Sequence, residues 1–171
     1  MANSNYQGVN YANTQANITE LIDVGQWGGK VRRMYDTFVL TADLASGDKI
    51  RMGAPLPEGA TLLECLASYD ALGGSCTVNI GWEQVSEIEP TGGDTLQASN
   101  ATGFFSALPV SSAGSAAAHG STYEGGGNGV TASSFYRLRI TSPIQVVIAE
   151  NAVSSGATGK AISVDVSYIV D

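Results

Sequence analysis

The chain carries one histidine, His119, in the run Ala-Ala-Ala-His-Gly-Ser. An imidazole can act as a general base, but it needs a nucleophile beside it and a carboxylate to orient it. Nothing pairs His119 with either, so it reads as a loop histidine in small-residue surroundings. Glu83, Glu87 and Glu89, with Asp94 nearby, form an acidic patch. Paired carboxylates can hydrolyse glycosides. These ones lead into Pro90-Thr91-Gly92-Gly93, and such charge runs are usually solvated turns. They also lack the spacing of a calcium loop. Gly25–Gly29 and Gly125–Gly129 are glycine-rich, but neither is followed by Lys-Ser/Thr and a helix, so neither is a phosphate loop. Cys65 and Cys76 lack partners for zinc. The residues therefore point away from an enzyme, with no catalytic, cofactor or metal site.

Composition narrows the partners. Of 171 residues, 14% are charged, against a typical ~25%, and the net charge is −8. An acidic chain does not provide the basic field that nucleic acid requires, nor does it suit an anionic membrane surface. No apolar run approaches the ~18 residues of a membrane span. Met1–Asn10 has no basic segment and no apolar stretch, so no signal peptide is expected and synthesis in the cytoplasm is. The apolar fraction, 43%, suffices for a core and excludes a disordered acidic tail.

The elements follow from period-2 patterns. Residues 1–29 are expected to form an extended N-terminal arm. Met1–Asn17 is free of charge, and Ile18, Leu21, Ile22, Val24 and Trp27 follow. Tyr6, Tyr11 and Trp27 are costly to leave in water and favour an interface. Lys30, Arg32 and Arg33 lie where arm meets body and could grip an acidic partner. Residues 30–171 read as one β-sandwich domain. Strands are expected over Thr37–Leu44, Lys49–Met52, Phe135–Ile140, Ile144–Glu150 and Lys160–Val170, with Gly53–Gly59 as a loop. Thr61–Glu83 reads as a hairpin turning at Gly73-Gly74, which pairs Cys65 with Trp82 and Tyr69 with Val78 on one apolar face. This register sets Cys65 and Cys76 too far apart for a disulfide, leaving two small buried hydrophobes. Asp94 can cap a short helix through Leu96 to Asn100. Ser111–Ser134 reads as a long Gly/Ser/Ala-rich loop.

Several of these segments resemble a known family. Asp48–Gly53, then Pro55-Leu56-Pro57-Glu58-Gly59-Ala60-Thr61-Leu62, is similar to a strand, "L-P-x-G-A" and apolar strand found in capsid decoration (cement) proteins of tailed bacteriophages. Ala71–Trp82, the Gly93–Phe105 segment and the closing Val166-Ser167-Tyr168 extend the likeness over roughly Asp48–Asp171. The resemblance implies an all-β, antiparallel, jelly-roll-like sandwich bound outside a phage head. The hairpin at Gly73-Gly74 departs from a strict jelly roll, because it keeps two successive strands in one sheet.

The implied function is that of a non-enzymatic structural virion protein stabilising contacts between major capsid proteins. The implied partners are the major capsid protein and further copies of the chain, a trimer before a dimer. Tyr6, Tyr11, Ile18, Leu21, Ile22 and Trp27 are then the expected contact residues, with Arg32 and Arg33 as charge partners. The rival reading is a carbohydrate- or receptor-binding sandwich of a tail or fibre, for which Tyr123 and Asn128 are the loop candidates.

Overall fold

The computed structural model describes residues 5–7, 31–85, 97–119, 122–124, 131–132, 138–152 and 154–170. These form eleven strands: β1 (Asn5–Gln7), β2 (Val31–Val39), β3 (Lys49–Leu56), β4 (Ala60–Tyr69), β5 (Thr77–Gln84), β6 (Asn100–Pro109), β7 (Gly114–His119), β8 (Thr122–Glu124), β9 (Thr131–Ala132), β10 (Ile144–Ala152) and β11 (Ala161–Val170). They build two sheets, one ordered β1-β3-β10-β5-β6-β9 and the other β2-β11-β4-β7-β8. β1 joins β3 in parallel, and the other strand pairs are antiparallel.

The alternating sequences bury as their period requires. Ile162, Val164 and Val166 of β11 are buried while Ser163, Asp165 and Ser167 are half-buried. Ile50 and Met52 of β3 face the core, as do Val146 and Ile148 of β10. Phe104, Phe105, Leu62, Leu72, Ile80 and Leu108 fill the space between the sheets. Trp82 meets Phe104 edge-on at 5.3 Å, an arrangement that aromatic quadrupoles favour. Cys65 and Cys76 are both free and buried.

The expected Thr61–Glu83 hairpin does not form. β4 pairs with β11 and β7 in one sheet, whereas β5 pairs with β10 and β6 in the other. Asp70–Cys76 is an arch between sheets. Gly73 and Gly74 do adopt positive φ, 78° and 56°, but they serve the crossing rather than a two-residue turn. The arch is pinned by Leu72 N donating to Val110 O (2.9 Å) and Ser155 N donating to Leu72 O (3.2 Å). Two strands with matching apolar faces satisfy that pattern by lying side by side or by facing each other across a core. Here they face each other. A bulge in β4 also shifts the register between Ser167↔Glu64 and Tyr168↔Leu62, so Leu62 rather than Leu63 enters the core.

Other expectations shift as well. The first body strand runs Val31–Val39, and Leu40 and Leu44 are buried in the connection beyond it. β3 continues through Gly53 and Pro55 to Leu56. No helix occurs among the described residues. Asp94–Leu96 lie outside them, and Gln97–Ser99 lead straight into β6. That segment is held by neighbours instead: Trp82 Nε1 donates to Ala98 O, Ser99 Oγ accepts from Gln84 N, and Gln97 N donates to Ser142 Oγ. Within Ser111–Ser134, β7, β8 and β9 form where the composition reads as loop. Small residues suit β7 because Ala116 and Ala118 pack inward beside Ala67 and Cys65 of β4. His119 is therefore a strand residue, opposite Thr122. Of Phe135–Ile140, Leu138–Ile140 are described, and Arg139 bridges to Thr61.

Candidate interaction surface

Two edges meet at one rim of the sandwich. β3 closes one body sheet there, and β2 is the outermost strand of the other. Asp36, buried on β2, ties them: its Oδ2 accepts from Gly53 N at 2.7 Å and its Oδ1 from Thr37 N at 2.8 Å. β1 lies on the β3 edge with Tyr6 opposite Ile50. The Tyr6 ring packs on Phe38 of β2, centroids 5.7 Å apart. An N-terminal strand thus covers the seam between the sheets.

β2 presents Val31, Arg33, Tyr35 and Val39 outward, all exposed, and Met34 and Asp36 inward. Arg32 and Arg33 consequently point to opposite faces, and the structure does not bring them together as one charged grip. Arg33 is ion-paired with Asp165 of β11, which raises its pKa. Arg32 lies opposite Tyr168. Beside Tyr35 a groove of about 550 Å³ opens on the outer face of the β2-β11-β4-β7 sheet, lined by Leu66, Ser68, Ser115, Ala117 and Ser163. Small side chains on β11, β4 and β7, beside Tyr35 of β2, leave this face hollow.

Among the described residues, several groups capable of chemistry are committed elsewhere. Glu83 is held by Arg51, and Lys49 Nζ stands 3.5 Å from its Oε2. Glu150 is buried, accepts from the Cys76 thiol at 3.0 Å through Oε1, and leaves Oε2 without a partner. Burial pushes the Glu150 carboxyl up to about 7, with the Asp48 carboxylate adding to the rise and the Cys76 hydrogen bond opposing it. Burial first, and then Glu150, push the Cys76 thiol upward, away from a reactive thiolate. Burial does the same to Cys65. Among the described residues no group of three His, Cys, Asp or Glu side chains could hold a metal, and no helix is long and apolar enough to cross a membrane.

Chains of two phage capsids share this fold. A chain in the capsid of Ralstonia phage GP4 superposes with a TM-score of 0.66 at 21% identity, covering 98% of this chain and 99% of that one. A chain in the capsid asymmetric unit of cyanophage Pam1 gives 0.57 at 21% identity, covering 92% and 96%. No protein-family model matches the sequence, and no curated protein does. At this identity the likeness is one of fold.

Of the residues expected to make contacts, Tyr6, Arg32 and Arg33 are placed, all at or beside the rim. Tyr11, Ile18, Leu21, Ile22 and Trp27 lie outside the described residues, as do Glu87, Glu89, Asp94 and Asn128. Sequence reasoning missed Val31, Tyr35 and Val39 as a surface stripe. The signal was present: every fourth position from Val31 to Val39 is a valine or a tyrosine, on the face that also carries Arg33 and Thr37. The β-branched and aromatic run that marks a strand becomes dense only from Thr37, whereas β2 begins at Val31.

Proposed function

We propose that this chain is a non-enzymatic structural protein of a phage virion, bound to the outside of the head, where it fastens neighbouring major capsid proteins. The observation that carries this reading is the likeness of fold, over 98% of the chain, to a chain in the GP4 capsid. The strand order supports a jelly roll. β2-β11-β4-β7 and β3-β10-β5-β6 are the two four-strand sheets expected of that topology, with β2, β3, β4 and β5 alternating between them. The arch at Gly73-Gly74 removes the conflict that a hairpin there would have raised.

The mechanism is mechanical. Each copy buries apolar and backbone groups across a junction, and many copies on one shell act multivalently. A chain with few charges meets little repulsion when packed against other proteins. Homo-oligomers, trimers before dimers, fit the symmetric sites of a shell. Met1–Gly29 is proposed as the fastening arm, with Tyr6, Tyr11, Ile18, Leu21, Ile22 and Trp27 as its contact residues. Arg32 and Arg33 are proposed as charge partners where it leaves the body.

The test uses heads stripped of, or assembled without, this protein. Purified full-length chain added to them should co-sediment saturably and raise their resistance to mild denaturant. A chain that stays in the supernatant at micromolar concentration, with heads no more resistant than before, would sink the proposal.

A further inference from the structure

The β3 edge holds a short strand that a long connection joins to the rest of its chain. β1 contributes three residues, Asn5↔Lys49, Tyr6↔Ile50 and Gln7↔Arg51, in parallel pairing. Residues 8–30 then separate Gln7 from Val31, the first residue of β2. Tyr6 touches Phe38, which lies seven positions along β2 from Val31, or roughly 23 Å at ~3.3 Å per residue. The 23 residues of the connection can span roughly 80 Å when extended. The link is about three times longer than the gap, so it leaves β1 free to reach the same edge on another molecule.

The surface beside that edge calls for such a neighbour. Four large apolar side chains are strongly exposed among the described residues, and three of them, Val31, Tyr35 and Val39, lie at every fourth position on the outward face of β2. The charge between them, Arg33, is neutralised by Asp165. An apolar stripe on an outermost strand is a pairing surface unless something covers it. A second copy placed at this rim buries the stripe and supplies a β1 at the same time.

We propose that the rim formed by β2 and β3 is the self-association surface of the protein, and that β1 is exchanged across it. Asn5–Gln7 of one copy pairs with Lys49–Arg51 of the next, and its Tyr6 seats on the neighbour's Phe38. In a closed ring every copy gives one strand and receives one, so no edge is left unfilled. Each copy keeps the contacts it would make with its own β1 and adds burial of Val31, Tyr35 and Val39. The exchange concerns copies of this chain alone and stands whether or not they bind a head.

Cross-linking tests it, because Cys65 and Cys76 are buried and the register is known. A tagged Asn5→Cys chain is mixed with an untagged Lys49→Cys chain, refolded together and oxidised mildly. A disulfide joining the two chain types is expected, and mixing Asn5→Cys with Ser112→Cys, at an exposed bend, should give none. In the Asn5→Cys/Lys49→Cys double variant, covalent oligomers are expected. A double variant that oxidises only within single chains, or mixed chains that never join, overturns the exchange. Tyr6→Ala provides a second reading by analytical ultracentrifugation. A folded protein that has lost its oligomer agrees with the proposal, and a folded protein with an unchanged oligomer overturns it. Head binding is scored separately, so failure of the capsid reading leaves these outcomes intact.

Discussion

Asp36 Oδ2 accepts a hydrogen bond from Gly53 N at 2.7 Å, joining the outermost strand of one sheet to the outermost body strand of the other. The carboxylate is buried and its second oxygen holds Thr37 N. Asp36→Ala removes both acceptors and strands the Gly53 amide, so a loss of about 2–3 kcal/mol is expected in urea melts. Asp36→Asn keeps one acceptor oxygen and should lose less. Equal loss from the two variants would show that the latch works through packing instead.

Gly73 and Gly156 separate two reasons for glycine. Both have positive φ, 78° and 70°. A Cβ on Gly73 would lie 2.0 Å from the Ser155 carbonyl oxygen, whereas one on Gly156 meets nothing within 4 Å. Gly156→Ala should cost about 1–2 kcal/mol, the ordinary penalty of left-handed backbone. Gly73→Ala must also open the arch between the sheets and should cost clearly more, or prevent folding. Matching thermal melts of the two variants would contradict the arch.

Glu150 makes stability depend on pH. Its carboxyl is raised from 4.5 to about 7 in the folded state, by burial first and by Asp48 second, while Cys76 opposes the rise. Between those values the folded protein holds a proton that the unfolded chain has released. Stability therefore falls as pH climbs from about 4.5 to about 7, then levels off. The loss amounts to about 3 kcal/mol at most. Glu150→Gln carries no titrating proton, so its stability relative to wild type should rise across this window. A constant difference from pH 4 to pH 8 would refute the assignment.

Arg33 and Asp165 form an ion pair whose arginine is 59% exposed. Exposed pairs contribute little to stability. Arg33→Ala should leave the melting temperature nearly unchanged. If Arg33 is a charge partner for the capsid, the same variant should bind heads more weakly and with a shallower dependence on salt. Unchanged binding would remove Arg33 from the contact set.

Period-2 alternation was enough to show that Lys49–Met52, Ile144–Glu150 and Lys160–Val170 are strands and which of their side chains face the core. A strand buries every second residue whatever lies beside it, so the pattern is local. The all-β class was legible for the same reason. The cysteines are free and buried and Gly73 and Gly74 have positive φ, as expected, but the hairpin register from which both were argued does not form. Which strands pair was not legible. Tyr69 and Val78 agree in pattern whether they are neighbours in a sheet or face each other across the core. That choice rests on distant partners, β11 and β7 for one strand and β10 and β6 for the other. β7 escaped because Gly114–His119 has no strand-forming side chains, and its place is set by the small side chains it meets on β4. Tyr6 was legible as an aromatic that needs burial, but only the packed sandwich provides Phe38 and the open β3 edge for it to meet. Composition and alternation decide how much of each strand must be covered; the contacts between residues far apart in the chain decide what covers it.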